Sequence, residues 1–104
     1  MKVATYNVNS IRSRMHIVLP WLQQNKPDYL CLQETKVADD KFPAAEFVDA
    51  GYNVVFKGNK QYAGVAIASR LKPEKVVFGL DDEPKDAERI IAATYGDLTI
   101  INTY

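Results

Sequence analysis

The chain has 104 residues, of which 47% are hydrophobic and 25% are charged, and its formal net charge at pH 7 is zero. This length suits one domain over residues 1–104, and the balanced charge argues against a protein that coats nucleic acid non-specifically, because such proteins are strongly basic. No segment reads as a signal peptide, and no apolar run approaches the roughly 18 residues of a membrane span. The single cysteine, Cys31, cannot form an internal disulfide. These features favour a cytoplasmic protein with no membrane partner.

The N-terminal third predicts a strand, a helix and a second strand. Residues 2–8 are rich in β-formers, and apolar residues then recur at three- and four-residue spacing over residues 11–22, as in an amphipathic helix. Ser13 could cap this helix, and Pro20 predicts a kink or a break within it. Residues 29–33 read YLCLQ, a continuous apolar strand of the kind that is covered on both faces. The order is that of a βαβ unit.

The remainder of the chain predicts a short helix and then a series of strands. The helix falls within residues 41–53, and the strands are predicted at residues 52–57, 63–69, 75–80, 89–95 and 98–104. Gly96-Asp97 is a good hairpin turn between the last two. The simplest assembly is α/β, with one mixed sheet and helices on one of its faces. The apolar residues of 63–69 and 89–95 then predict an open second face that a partner would cover.

Three polar side chains lie at predicted strand ends, namely Asn7, Glu34 and Tyr104. Strand ends are where ligand-binding groups gather in sheet proteins. Mg²⁺ takes oxygen ligands and is commonly held by only one or two carboxylates, together with water and substrate phosphate. Glu34 is therefore a candidate metal ligand. The alternative is a solvated carboxylate that pairs with Lys36, and the residues alone leave both interpretations open.

Five segments in this order resemble the N-terminal part of the exonuclease III family of apurinic/apyrimidinic (AP) endonucleases, within the endonuclease/exonuclease/phosphatase superfamily. They are TYNVNSIRSR, PDYLCLQETK, YAGVAIASR, RIIAATY and INTY, and the string LQETK is the most specific of them. The resemblance implies half of a four-layer, DNase I-like α/β sandwich. It also implies a DNA-repair nuclease that uses Mg²⁺, or Mn²⁺ in its place, to cleave phosphodiesters at abasic sites or from 3′ ends.

The resemblance carries roles for the residues at the strand ends and near them. Glu34 matches the metal-binding glutamate of the family, and Asn7 matches an asparagine that lines the metal and phosphate site. Tyr104 matches the active-site tyrosine that contacts the scissile phosphate. Asn9 matches a polar position near the metal and the DNA, and Lys36 a position near the DNA backbone.

The resemblance also implies DNA contacts farther from the metal. Arg12 and Arg14 fall where the family has basic residues beside the DNA, and Tyr62 matches an aromatic position near the minor groove. The alternatives are a solvated helix start for the two arginines and a loop aromatic without a DNA contact for Tyr62. His16 is expected to be structural rather than catalytic. The acidic run at residues 81–83 is expected to be a solvated loop.

Two motifs that the family needs do not occur in the sequence. They are an Asp-x-Asn motif that activates the attacking water and a Ser-Asp-His motif that completes the site. Three hypotheses follow. The chain is part of a nuclease whose activity depends on the rest, or it forms a two-fold homodimer through the open sheet face. In the third, it is a non-catalytic DNA-binding module or an inactive remnant.

Overall fold

The computed structural model describes residues 1–79 and 87–104, and it has two α-helices and seven strands in these ranges. In chain order they are β1 (Val3–Asn7), α1 (Ile11–Asn25), β2 (Tyr29–Gln33), α2 (Ala44–Asp49), β3 (Asn53–Lys57), β4 (Val65–Ser69), β5 (Lys75–Phe78), β6 (Ile90–Tyr95) and β7 (Leu98–Thr103). A 3₁₀ turn at Asp39–Lys41 precedes α2. The acidic run at 81–83 lies outside the described residues.

Helix α1 begins at Ile11, and its N-cap is Ser10, three residues before Ser13, the predicted cap. The Ser10 side chain accepts a hydrogen bond from the Ser13 amide at 3.4 Å, so Ser13 is the partner of the capping residue. The helix ends where Lys26 turns left-handed and its amide donates to the Leu22 carbonyl at 2.9 Å. Its buried stripe consists of Ile11, Met15, Val18 and Leu22.

Pro20 does not break helix α1, which continues to Asn25. A proline removes one backbone donor and frees the carbonyl four residues earlier, here that of His16. Both Pro20 and His16 are exposed, so water can reach the freed carbonyl. The predicted break is therefore wrong, because the proline lies on the solvent side of the helix.

Four strands form one mixed sheet in the order β1-β2-β4-β3. Strands β1 and β2 are parallel and α1 connects them, which confirms the βαβ unit, while β4 runs antiparallel to both β2 and β3. One face of this sheet packs against the helices. That core includes Val18 and Leu22 of α1, Phe47 of α2, and Leu32 and Ala66 of the sheet.

The other three strands form a separate antiparallel sheet in the order β5-β6-β7. The Gly96-Asp97 turn joins β6 to β7, and Tyr95 pairs with Leu98 across it, as the hairpin signal predicts. The α/β class is confirmed, with helices on one face of the four-stranded sheet. The prediction of one mixed sheet is wrong, because the strands divide into two.

The face that was predicted to be open is the interface between the two sheets. Val65 and Ile67 of β4 pack against Ile91, Ala93 and Tyr95 of β6 in a second core. The apolar alternation in β4 and β6 does form a buried face, as predicted. The alternation alone does not tell whether the two strands lie side by side in one sheet or face each other from two sheets. A homodimer through this face is therefore excluded, since the second sheet of the same chain covers it.

The two sheets leave an open cleft between their edge strands, β1 and β7. The cleft has a volume of about 470 Å³, and Val3, Thr5, Ile101 and Tyr104 are among its lining residues. Val3 is 50% exposed and Ile101 is 64% exposed. Apolar side chains thus face solvent along the cleft.

Two further findings concern predictions from composition. Cys31 is buried between the sheets, and this burial raises the pKa of its thiol to about 11, as expected for a small core residue. Within residues 1–79 and 87–104, neither helix has the length and apolar character needed to cross a bilayer. The cytoplasmic location stays a prediction.

Candidate metal and phosphate site

Three strand ends meet at one corner of the structure. Asn7 is the last residue of β1, Glu34 follows β2, and Tyr104 follows β7. The Tyr104 hydroxyl donates a hydrogen bond to Glu34 Oε1 at 2.6 Å, across 70 positions of the sequence. The Asn7 side chain lies near the same carboxylate and lowers its pKa. The three residues predicted at strand ends therefore lie together.

The hydrogen bond from Tyr104 is the main cause that lowers the pKa of Glu34. Partial desolvation opposes it, and Asn7 and the charge of Lys36 lower the pKa further. The same bond to Glu34 is the main cause that raises the pKa of Tyr104 above its ordinary value. At neutral pH the carboxylate is thus an acceptor and the phenol a donor.

Left-handed backbone is concentrated in the loops that carry these residues. The described chain has six non-glycine residues with positive φ, and five of them are Glu34 itself and four residues of the loops around it. These five are Asn9, Ser10, Glu34, Lys36 and Ala63. Such conformations are uncommon for side-chain-bearing residues and persist only where the surroundings hold them.

Backbone hydrogen bonds hold the three loops together. The Ser10 amide donates to the Glu34 carbonyl at 2.8 Å, and the Lys36 amide donates to the Ala63 carbonyl at 3.0 Å. The Thr35 amide donates to the Gly64 carbonyl at 3.2 Å. The loops after β1, after β2 and before β4 therefore form one bonded unit that fixes the position of Glu34.

Gly64 is the closest point of approach within this unit. Its φ of +98° favours glycine, and a Cβ atom at this position would lie 2.0 Å from Thr35 Oγ1 and 3.2 Å from the Lys36 amide nitrogen. Only a residue without a side chain allows the loop before β4 to pack this closely against the Glu34 loop.

Asn102 fixes the strand that carries Tyr104, and sequence reasoning missed it. Its amide donates to the Leu32 carbonyl at 2.9 Å and to the Ala66 carbonyl at 2.8 Å, and its oxygen accepts from Gln33 at 2.8 Å. These bonds tie β7 to the four-stranded sheet. The signal was available, because Asn102 is a polar residue two positions before Tyr104 and so on the same face of the strand.

Two of the predicted DNA-contacting residues join the cluster at its edge. The Lys36 ammonium donates to Asn9 Oδ1 at 2.6 Å, and the Asn9 amide donates to Asn7 Oδ1 at 3.1 Å. The hydrogen bond of Lys36 thus goes to Asn9, while the Glu34 carboxylate accepts from Tyr104. A chain of contacts therefore runs from Glu34 through Asn7 and Asn9 to Lys36.

The other predicted DNA-contacting residues lie apart from this cluster. Arg12 is exposed at the start of α1 and lines a groove with Lys41, and Arg14 is half-buried on the same turn. Tyr62 lies in the loop between β3 and β4 and is 51% exposed. His16 is exposed on α1. The structure thus leaves these side chains at the surface and does not join them to the Glu34 cluster by any hydrogen bond among the described residues.

The donor atoms at this corner fit a hard divalent cation. They are the oxygens of one carboxylate, one amide and one phenol, and no group of three or more His, Cys, Asp or Glu residues occurs in the described part of the chain. This set suits Mg²⁺ or Mn²⁺, which complete their shells with water and phosphate oxygens. It does not suit a closed structural zinc site, which needs four nitrogen or sulfur ligands.

The family model described as the endonuclease/exonuclease/phosphatase family matches residues 4–104. The chain belongs to this family. Among solved structures of family members, an AP endonuclease from Archaeoglobus fulgidus is 62% identical, with a TM-score of 0.95 over 100% of this chain and 40% of that one. The NExo 3′-phosphatase from Neisseria, bound to a product DNA hairpin, is 47% identical, with a TM-score of 0.92 and 41% of its chain covered. The predicted DNase I-like fold is confirmed.

Curated family members give the same result. Exodeoxyribonuclease III from Haemophilus influenzae is 37% identical over 109 aligned residues, and the DNA repair nuclease APEX1 from Danio rerio is 32% identical over 111. Each match covers 100% of this chain but only 41% and 36% of the relatives. The resemblance to exonuclease III and AP endonucleases is confirmed, and the chain spans about two fifths of the length of these family members.

Proposed function

We propose that this chain, folded as one domain over residues 1–104, carries the metal- and phosphate-binding part of a Mg²⁺-dependent DNA-repair nuclease. The nuclease hydrolyses phosphodiesters at abasic sites or from 3′ ends. The observation that carries the proposal is the 2.6 Å hydrogen bond from Tyr104 to Glu34, with Asn7 beside the same carboxylate. These three residues gather oxygen donors where a metal and a phosphate can meet.

Each residue has a distinct task in this proposal. Glu34 holds Mg²⁺, or Mn²⁺, with Asn7 beside it, and the cation offsets negative charge on the phosphoryl oxygens when it is bound. Tyr104 keeps its proton at neutral pH, because its hydrogen bond to Glu34 raises its pKa. Its single hydroxyl proton, which is donated to Glu34 here, would be free to bond a non-bridging phosphate oxygen if a cation engaged the Glu34 carboxylate instead, and the Asn7 amide would be a second donor. Activation of the attacking water is assigned to motifs that this sequence does not contain.

DNA is the proposed partner, and a band of polar and basic side chains is proposed to contact it. Lys36 and Asn9 continue directly from the metal site, and Arg12, Arg14 and Tyr62 lie farther out. Cations along the backbone supply most of the affinity of such proteins for DNA, and they do so for any sequence. The structure of NExo with its DNA hairpin supports DNA as the substrate class.

The test is cleavage of a duplex that carries a single abasic site. We expect slow incision with Mg²⁺, because a bound cation can activate water even without the two missing motifs. We expect no incision with EDTA and none by Glu34→Gln. Glu74→Gln, which changes an exposed glutamate on the loop before β5, is the matched control and should incise like the parent chain. Cleavage by the Glu34→Gln variant would contradict the assignment of Glu34 as the metal ligand.

A second candidate function is a DNA-binding module without catalysis. It is favoured by the lack of the Asp-x-Asn and Ser-Asp-His motifs in the sequence, and by the finding that no group of three or more His, Cys, Asp or Glu residues occurs in the described part of the chain. Retention of the abasic duplex without incision, in Mg²⁺, would support this function over the first.

We also propose that a second copy of the chain pairs along the exposed edge of β1. The strand has no proline or charged residue between Val3 and Asn7, and edges without such protection are templates for pairing. Apolar groups flank it on both sides, with Ile17 and Trp21 in the groove beside α1 and Ile101 across the cleft. In such a two-fold pairing, β1 of one copy would lie beside β1 of the other. The two four-stranded sheets would then be continuous, and the apolar groups would be covered.

A further inference from the structure

The loop between β3 and β4 carries Tyr62, and hydrogen bonds anchor this loop at both of its ends. At the far end, directly after Tyr62, the Ala63 carbonyl accepts from the Lys36 amide at 3.0 Å. At the near end, the Gly58 amide donates to Asp39 Oδ1 at 2.7 Å. The Tyr62 side chain is 51% exposed. Its position therefore depends on the two anchors of the loop rather than on burial.

Asp39 is the first residue of the 3₁₀ turn that precedes α2, and aromatic packing fixes this turn beside the end of β3. Phe42 directly follows the turn and is buried. Its ring stacks on that of Phe56 in β3, with the ring centroids 4.1 Å apart and the planes 6° apart. Phe56 lies two residues before Gly58. The turn thus brings the Asp39 carboxylate to the point where β3 ends and the loop begins.

Both oxygens of the Asp39 carboxylate contact this point. Oδ1 accepts from Gly58, and Oδ2 lies 3.4 Å from the Lys57 ammonium. The two side chains of the ion pair are 41% and 44% exposed, and pairs this exposed contribute little. Gly58 also passes close to the loop after β2, because a Cβ atom there would clash with the Val37 carbonyl oxygen. The bond from Gly58 to Asp39 is therefore the main polar anchor at the near end.

We infer that Asp39 is a positioning residue for DNA binding. Through its bond to Gly58, it holds the loop in the conformation in which Tyr62 contacts DNA. This inference rests on the proposed function, in which Tyr62 is a DNA contact. A loop that is ordered before binding loses less conformational entropy on binding, which raises affinity. The charge of Asp39 has the opposite effect, because a carboxylate repels phosphates, so a favourable contribution of this residue must come from positioning.

The test is the affinity for a duplex with a single abasic site, measured by fluorescence anisotropy in EDTA. Asp39→Ala removes the acceptor of the Gly58 amide, and we expect roughly two- to tenfold weaker binding, the range of one ordinary hydrogen bond. Electrostatics alone predicts the opposite sign, because the variant loses a negative charge. Asp40→Ala is the matched control. It makes the same change in charge at an exposed position of the same turn, and it should bind at least as tightly as the parent chain.

Two further comparisons separate positioning from a general structural role. Asp39→Asn keeps an oxygen as the acceptor while it removes the charge, and it is expected to retain the affinity of the parent chain. Tyr62→Ala is expected to weaken binding by itself. Adding Asp39→Ala to Tyr62→Ala should then cause no further loss, because Asp39 acts through Tyr62.

The hydrogen bond itself is tested in the free protein, without DNA. The NMR signal of the Gly58 amide proton should move upfield in Asp39→Ala and stay near its parent position in Asp39→Asn. Thermal unfolding shows that each variant is folded at the temperature of the assay. A Gly58 signal that is unchanged in Asp39→Ala would contradict the anchor.

The outcomes distinguish this inference from the proposed function. If the parent chain binds the duplex and Asp39→Ala binds as tightly as Asp40→Ala, the positioning role of Asp39 is wrong and the proposed function stands. The same holds if Asp39→Ala causes its full loss in the Tyr62→Ala background, or if Tyr62→Ala binds like the parent chain. If the parent chain does not bind the duplex at all, the proposed function fails, and the role of Asp39 fails with it.

Discussion

Glu34 keeps its charge at the end of a buried strand because its neighbours stabilise the carboxylate. The hydrogen bond from Tyr104 contributes most, and Asn7 and Lys36 add to it. The sequence indicates that Glu34 needs such partners, since a carboxylate after an apolar strand is unfavourable without them. It does not identify Tyr104 as the partner, because 70 residues separate the two and only the fold brings them together.

Tyr104→Phe is expected to raise the pKa of Glu34, because it removes the largest of the stabilising contacts. A carboxyl whose folded pKa is depressed stabilises the fold above its unfolded pKa, and this contribution is lost as the pH falls through the folded pKa. The variant should therefore lose less stability on acidification than the parent chain. The pKa is measured by NMR titration of the Glu34 carboxyl carbon. Tyr62→Phe is the control, and an unchanged Glu34 pKa in Tyr104→Phe would contradict the hydrogen bond.

Gly64→Ala is expected to destabilise the protein more than Gly96→Ala. Both glycines have positive φ, so both variants carry a similar backbone penalty, of about 1–2 kcal/mol. A Cβ atom at Gly96 meets nothing within 4 Å, whereas one at Gly64 meets Thr35. The additional cost at Gly64 should be about 1–3 kcal/mol, measured by urea unfolding. Equal losses in the two variants would mean that the Glu34 loop is not packed against Gly64.

The individual elements follow from the sequence more completely than their assembly does. The strand–helix–strand unit, the short helix and the last hairpin are all local patterns, and the structure contains them. The division of the strands into two sheets is not local, because the alternation in β4 and β6 fits either neighbouring or facing strands. Asn102 is the residue that links the two sheets, since its side chain lies on β7 and donates hydrogen bonds to carbonyls of the four-stranded sheet.

Asn102→Leu is expected to destabilise the fold by about 1–3 kcal/mol, because it removes the two buried hydrogen bonds that the Asn102 amide donates to the carbonyls of Leu32 and Ala66. It should also raise the pKa of Glu34, since Tyr104 lies two residues farther on the same strand. Thr103→Val, on the exposed side of β7, is the control and should change stability by no more than about 0.5 kcal/mol. Urea unfolding measures both variants. A loss for Asn102→Leu as small as that of the control would contradict its role as the link between the sheets.

At the scale of the whole molecule, the site is a corner where three loops and two sheets converge. The sequence motifs identify Asn7, Glu34 and Tyr104 through a family resemblance, and their contact depends on interlocked loops that no spacing rule describes. Five residues in left-handed conformations take part in these loops. The chain thus contains the Glu34 corner, which is the candidate metal site, and an open cleft between β1 and β7 that Asn7 and Tyr104 also line.

The proposed pairing along β1 predicts a dimer in solution at micromolar concentration, measured by sedimentation velocity. Val3→Lys places a charge on the exposed edge strand and should give a monomer. Val77→Lys, on the three-stranded sheet, is the matched control, since Val77 is 41% exposed but lies on β5, the edge of that sheet opposite β7. A monomeric parent chain, or equal effects of the two lysines, would contradict pairing at β1.

The most direct test of the candidate site is whether Mg²⁺ binds at Glu34. Titration of the isotope-labelled chain with Mg²⁺, followed by the amide NMR spectrum, reports the position of binding without requiring catalysis. We predict shifts centred on Asn7, Glu34 and Tyr104 that saturate in the parent chain and are absent in Glu34→Gln. Shifts of equal size in both proteins, or shifts centred on other residues, would contradict the assignment of this corner as the metal site.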